Sequence, residues 1–177
     1  MTTLILSVTM LLNTNSAPLV DFPAPVKGKE LYAQNDLRGK KAPQLHVEQW
    51  LSGNLENTRG KVLFIDFWAT WCGPCVKSIP ELNEWQEKFK DDLVVIGLSN
   101  EQPDVVKKFM ESTKMNYRVA IDTQGRTSKE VGVKGIPHVL IISKDGIVRW
   151  QGFPGSNEEK LTTELLKQII DANKALK

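Results

Sequence analysis

The chain holds two cysteines, Cys72 and Cys75, separated by Gly73 and Pro74. Such a pair can exchange with disulfides, bind a metal or close a structural bridge. An apolar, strand-forming run from Val62 to Phe67 leads into it, and Ile79, Leu82, Trp85 and Phe89 follow at helical spacing. This pattern puts both thiols at the N-terminus of a helix that follows a buried strand.

That position favours redox chemistry. Unpaired backbone N–H groups and the positive end of the helix dipole stabilise a thiolate at Cys72, the more exposed of the two positions. Attack of that thiolate on a substrate disulfide gives a mixed disulfide. Cys75, one helical turn inward, resolves it by attacking Cys72. Gly73 and Pro74 keep the turn tight enough for the two sulfurs to meet.

The rival readings are weaker. A zinc site needs two more ligands, and the only histidines, His46 and His138, lack paired spacing. A structural bridge across so short a loop removes little unfolded-state entropy. A thiol peroxidase presents Pro-x-x-x-Thr-x-x-Cys, whereas Thr70 is two residues before Cys72 with no proline in place. A copper-handling protein needs a histidine near the cysteines, and His138 is the one candidate.

The elements that position the pair follow in order. Ala42 to Trp50 is expected as a first strand, and a turn at Ser52-Gly53-Asn54 leads toward a second short one. The near-continuous apolar run Val62 to Phe67 implies a central strand covered on both faces. The helix after Cys72 runs to about Lys90 with Pro80 inside it, and Leu93 to Leu98 completes a right-handed βαβ unit. A helix from Asp104 to Ser112, opened by Pro103, and a strand from Tyr117 to Ile121 come next. Val139 to Ile142 and Ile147 to Gln151 form a hairpin across Asp145-Gly146. Asn157 is expected to cap a last helix with Leu161, Leu165, Leu166, Ile169 and Ile170 on one face. The fold class is α/β, a mixed sheet with helices on both faces.

A chain of 177 residues suits one domain with an N-terminal appendage. Leu4 to Leu12 is a short apolar stretch followed by Asn13 to Ala17, so residues 1–17 read as a signal peptide or its remnant. Three prolines between Pro18 and Pro25 make residues 18–41 a linker or disordered arm, and residues 42–177 form the domain. Lys and Arg total 23 against 21 acids, and pairs such as Lys40-Lys41 and Lys107-Lys108 form no stripe, so nucleic acid is not an expected partner.

The run Asp66-Phe67-Trp68-Ala69-Thr70-Trp71-Cys72-Gly73-Pro74-Cys75, with Pro80 and Gly135-Ile136-Pro137, resembles thioredoxin from about residue 42 onward. The helix and strand at Asp104 to Ile121, the N-terminal strand extension and the export signal together resemble the extracytoplasmic TlpA/ResA branch. That resemblance implies a thioredoxin fold with a central helix–strand insertion. It implies a monomeric protein-disulfide oxidoreductase of cell redox homeostasis, with no cofactor beyond the Cys72–Cys75 disulfide and no metal. Its partners would be disulfide-containing proteins and a membrane-embedded or other upstream reductase. Trp71, Gly73, Pro74, Ile136 and Pro137 would meet substrate, with Pro137 cis and Trp68 packed nearby. Asp66 would be buried behind Cys75, its pKa raised by desolvation, and would take the Cys75 proton. The branch often carries Glu three residues after the second cysteine, where this chain has Ser78, and thioredoxin's buried lysine has no counterpart in Leu93 to Ser99. Gly-Pro between the cysteines favours a reductant.

Overall fold

The computed structural model describes residues 20–177. Ten elements follow one another: β1 (Gln49–Ser52), β2 (Val62–Phe67), α1 (Gly73–Lys88), β3 (Leu93–Ser99), α2 (Pro103–Ser112), β4 (Arg118–Ile121), α3 (Arg126–Val131), β5 (His138–Ile142), β6 (Val148–Gly152) and α4 (Thr163–Ala175). The strands form one sheet in the order β1-β4-β3-β2-β5-β6. β2, β3 and β4 run parallel, and β1, β5 and β6 join antiparallel. The apolar run of β2 thus lies between β3 and β5, where both its faces are covered.

Alternation along β2 divides the core. Val62, Phe64 and Trp68 face a layer built by α1, α2 and α4, through Ile79, Val106 and Leu166 among others. Ile65 and Phe67 face the opposite layer, where helix is scarce: α3 contributes Val131, and Leu37, Leu45 and Val47 of the N-terminal segment cover the rest. Helices lie on both faces, but three of the four among the described residues share one.

This covering role moves the first strand. It is observed at Gln49–Ser52, not from Ala42, and no strand lies between Ser52 and Val62. Pro43 has no N–H to offer a ladder, and Ala42, Leu45 and Val47 pack flat on the sheet. Before Glu48, whose N–H donates to the Ile121 carbonyl, the isolated bridge Lys41–Ile147 is what pairs this stretch. The last helix begins later than expected. Thr162 caps it, accepting from the Leu165 N–H, while Ser156 Oγ accepts from the Glu159 N–H in a separate turn. α3 carries one buried aliphatic residue in six, too few for a periodic signal, and lies between Gly125 and Gly132, both left-handed.

Residues 29–41, expected within the linker, are packed on the domain. The Lys29 side chain is fully buried, 2.8 Å from Glu159 Oε2 and 3.7 Å from the centre of the Trp150 ring. Gly152 makes room for it, since a Cβ there would lie 2.9 Å from Lys29 Cε. Gln151, also buried, accepts from the Leu37 N–H and donates to the Asn35 carbonyl. Lys29→Met keeps the packing and strands the Glu159 carboxylate, so it is expected to cost about 3 kcal/mol in urea unfolding. Lys29→Met with Glu159→Gln should recover most of that loss.

Candidate active site

Cys72 and Cys75 meet at the C-terminal end of β2, where the chain turns into α1. Cys72 is the N-cap of α1, with extended backbone (φ −83°, ψ 96°), and its Sγ accepts the Cys75 N–H at 3.3 Å. Pro74 sits in the first turn, where its missing N–H costs no helical bond. The sulfurs are joined at 1.97 Å. Cys72 is 4% exposed and Cys75 1%, so access to this pair is through Cys72 and is narrow.

Aromatic residues frame it unequally. Trp71 is 73% exposed beside Cys72, whereas Trp68 is buried against Phe109 of α2 at 5.6 Å between ring centres. The turn between them is pinned from the loop after β3: the Thr70 N–H and hydroxyl both donate to Glu101, at 2.7 Å each. Across the pair, the Ile136–Pro137 peptide is cis and leads into β5.

Asp66 lies on the face of β2 that α1 covers and is 3% exposed. Burial pushes its carboxyl up to about 7. A cavity of about 220 Å³ joins Asp66 to Pro74, Ser78, Glu81, Pro137 and Lys160, giving its proton a way to solvent. On the other side Asp66 is in register with Gly97 of β3. A Cβ at Gly97 would lie 2.9 Å from Trp68 Nε1 and 3.2 Å from Tyr117 Cε2. The missing side chain is therefore what lets these two rings close the wall beside Asp66. Gly97→Ala should destabilise the fold by about 1–3 kcal/mol in chemical denaturation, since both neighbours are buried rings with nowhere to move.

The AhpC/TSA family pattern matches residues 38–151, from before β1 into β6, with Asp66, both cysteines and Pro137 inside it. This chain belongs to the AhpC/TSA family. Within it, the chain is 38% identical over 136 residues to the thiol-disulfide oxidoreductase ResA of Bacillus thuringiensis subsp. konkukian (strain 97-27), covering 74% of this chain and 78% of that one. It is 26% identical over 118 residues to the thioredoxin-like protein YneN of Bacillus subtilis (strain 168), covering 63% and 68%. Among solved structures, a Chlorobium tepidum protein described as a thiol:disulfide interchange protein DsbE superposes with a TM-score of 0.62 at 33% identity, covering 77% of this chain and 97% of that one. The chain is thus an AhpC/TSA protein of the ResA thiol-disulfide oxidoreductase type, with a thioredoxin-like fold.

The structure also places Ser78 and His138. Ser78 donates to the Cys75 carbonyl at 2.7 Å, a bond along its own helix, and it lines the Asp66 cavity without a charge. His138 stands apart from the cysteines. It faces the opposite layer, 6.0 Å from the Phe67 ring and 3.4 Å from Gln151, and burial holds it down at about 4. Among the described residues no group of three or more His, Cys, Asp or Glu is placed to hold a metal ion.

Three residues at the site carried no sequence signal. Glu101 is one acid in a loop; only knowing that β3 ends beside the β2–α1 turn would single it out. Tyr117 and Gly97 read as ordinary strand residues until the register sets them next to Asp66.

Proposed function

We propose that this protein is an extracytoplasmic thiol–disulfide oxidoreductase that reduces disulfides in other proteins through Cys72 and Cys75. The observation that carries the reading is the Cys-Gly-Pro-Cys pair at the start of α1, with a buried carboxyl on the strand that delivers it.

In the reduced protein the Cys72 thiolate attacks one sulfur of a substrate disulfide. A bond forms between Cys72 and that sulfur, and the other substrate sulfur leaves as a thiolate and takes a proton from water. Asp66 then accepts the Cys75 proton. The Cys75 thiolate attacks Cys72 Sγ, and the second substrate thiolate departs. Two electrons pass to the substrate, and the protein is left with its Cys72–Cys75 disulfide. Trp71, Gly73, Pro74, Ile136 and Pro137 form the surface on which an extended substrate segment lies, with the Ile136 backbone as its hydrogen-bonding edge. A membrane-embedded or other upstream reductase returns the two electrons.

Export is supported by the apolar stretch Leu4 to Leu12, which lies outside the described residues; within them no helix is long and apolar enough to cross a membrane. The Gly-Pro dipeptide between the cysteines supports the reducing direction. The experiment is stoichiometric. Fully reduced protein is mixed with a disulfide-linked peptide pair under nitrogen, and both products are weighed by mass spectrometry. One peptide disulfide reduced per protein oxidised supports the reading. Peptides that stay linked while added peroxide oxidises the protein would replace it with peroxidase chemistry.

A further inference from the structure

The N-terminal arm reaches the active-site rim as a short ladder. Ala33 pairs antiparallel with Val133, the Lys134 N–H donates to the Tyr32 carbonyl at 2.8 Å, and the Gln34 N–H donates to the Gly132 carbonyl at 2.7 Å. Two residues further in this register, Glu30 would stand opposite Ile136. The ladder stops first. Tyr32 takes a left-handed backbone (φ 52°), which an aromatic residue adopts only when its surroundings impose it, and the arm turns away. Ile136 is left with no backbone hydrogen bond among the described residues.

The packing that imposes this is specific. Gly132 is itself left-handed, and a Cβ there would lie 2.7 Å from Gln34 Cβ, so only glycine lets the arm come this close. The Tyr32 ring ends up edge-on to Phe153 at 6.3 Å, yet 46% of the residue stays exposed. Between them is a cleft of about 210 Å³ whose walls are Tyr32, Pro74, Gly135, Ile136, Pro137 and Phe153. It has no charged wall. It is smaller than pockets that enclose whole small molecules, and suits one side chain.

We propose that this cleft is a substrate subsite, with Tyr32 as a specificity-determining residue. It receives an apolar or aromatic side chain that neighbours the reacting cysteine of an extended segment paired to Ile136. This rests on the thiol–disulfide exchange reading and adds the substrate class: segments with an apolar residue beside the disulfide. The ligand is fixed by three features together: an uncharged wall, an open backbone edge and Pro74 lying between the two cysteines.

The test uses the reduced full-length protein and two peptide disulfides that differ in one residue beside the cysteine, phenylalanine or aspartate. Wild type is expected to favour the phenylalanine peptide about tenfold in kcat/KM, mostly through KM. Tyr32→Ala should cut that preference to about twofold or less, while Tyr32→Phe should keep it. A preference undiminished in Tyr32→Ala, or none in wild type, overturns the subsite. Failure of wild type to reduce either peptide overturns the exchange reading itself, and the subsite with it.

Discussion

Cys75→Ser is expected to halt turnover with the substrate covalently held on Cys72. The first step needs only the Cys72 thiolate. What stabilises that thiolate survives the substitution, because the group donating to Cys72 Sγ is the backbone N–H of residue 75, not its side chain. The helix dipole is likewise unchanged. The second step needs a sulfur at position 75, so the mixed disulfide has no internal route to release. Serine is close in shape to cysteine and sits in a position that is 1% exposed, so the fold should tolerate it. Near-stoichiometric adduct is expected on non-reducing gels and by mass spectrometry. Cys72→Ser should give none. Adduct on Cys72→Ser, through Cys75, would reverse the assignment of the nucleophile.

Asp66→Asn should separate the two steps and also change stability. Asparagine cannot accept the Cys75 proton, so release of substrate is expected to slow by about a hundredfold, as for loss of a general base, with the first attack nearly unchanged. The stability effect follows from the raised carboxyl. Folded Asp66 titrates at about 7 against 3.8 as its ordinary value. From about pH 4 to 7 the folded protein therefore keeps a proton that the unfolded chain has released. Stability is greatest below pH 4, falls as pH rises through this window, and levels above 7. Three units of difference correspond to up to about 4 kcal/mol. Asp66→Asn should thus be more stable than wild type at pH 8, with the gain shrinking toward pH 4. Urea unfolding at pH 4.5, 6 and 8 measures it. A gain that does not change with pH would mean that Asp66 is ionised in the fold.

The contrast between β2–α1 and the arm shows what a sequence can disclose. From Val62 to Cys75 every local signal agrees: continuous apolar residues, a Gly-Pro turn, then helical spacing. Strand, turn, helix and cysteine placement are all legible there, and the Asp145-Gly146 hairpin is legible for the same reason. Residues 29–41 carry the opposite signal. The three prolines before them extend a linker reading over them, yet Lys29 is buried because Glu159 and Trp150, more than a hundred residues away, receive it. No local pattern encodes such pairing. Tyr32 is hidden in the same way, since its place at the rim depends on the arm's register with Val133. Asp66 lies between these cases. Its burial follows from the alternation of its strand, but the ring wall beside it appears only when Gly97 is found in register.

The central claim, exchange at Cys72 and Cys75 with Asp66 taking the proton, is tested most directly by the pH dependence of the release step. Mixed disulfide is formed rapidly between reduced protein and a cysteine-reactive peptide disulfide, and its decay is followed in a single turnover from pH 5 to 9. The wild-type rate is expected to rise with pH about a midpoint near 7, where Asp66 loses its proton, and the Asp66→Asn rate to be lower with no midpoint there. Superimposable profiles for the two proteins would contradict the account.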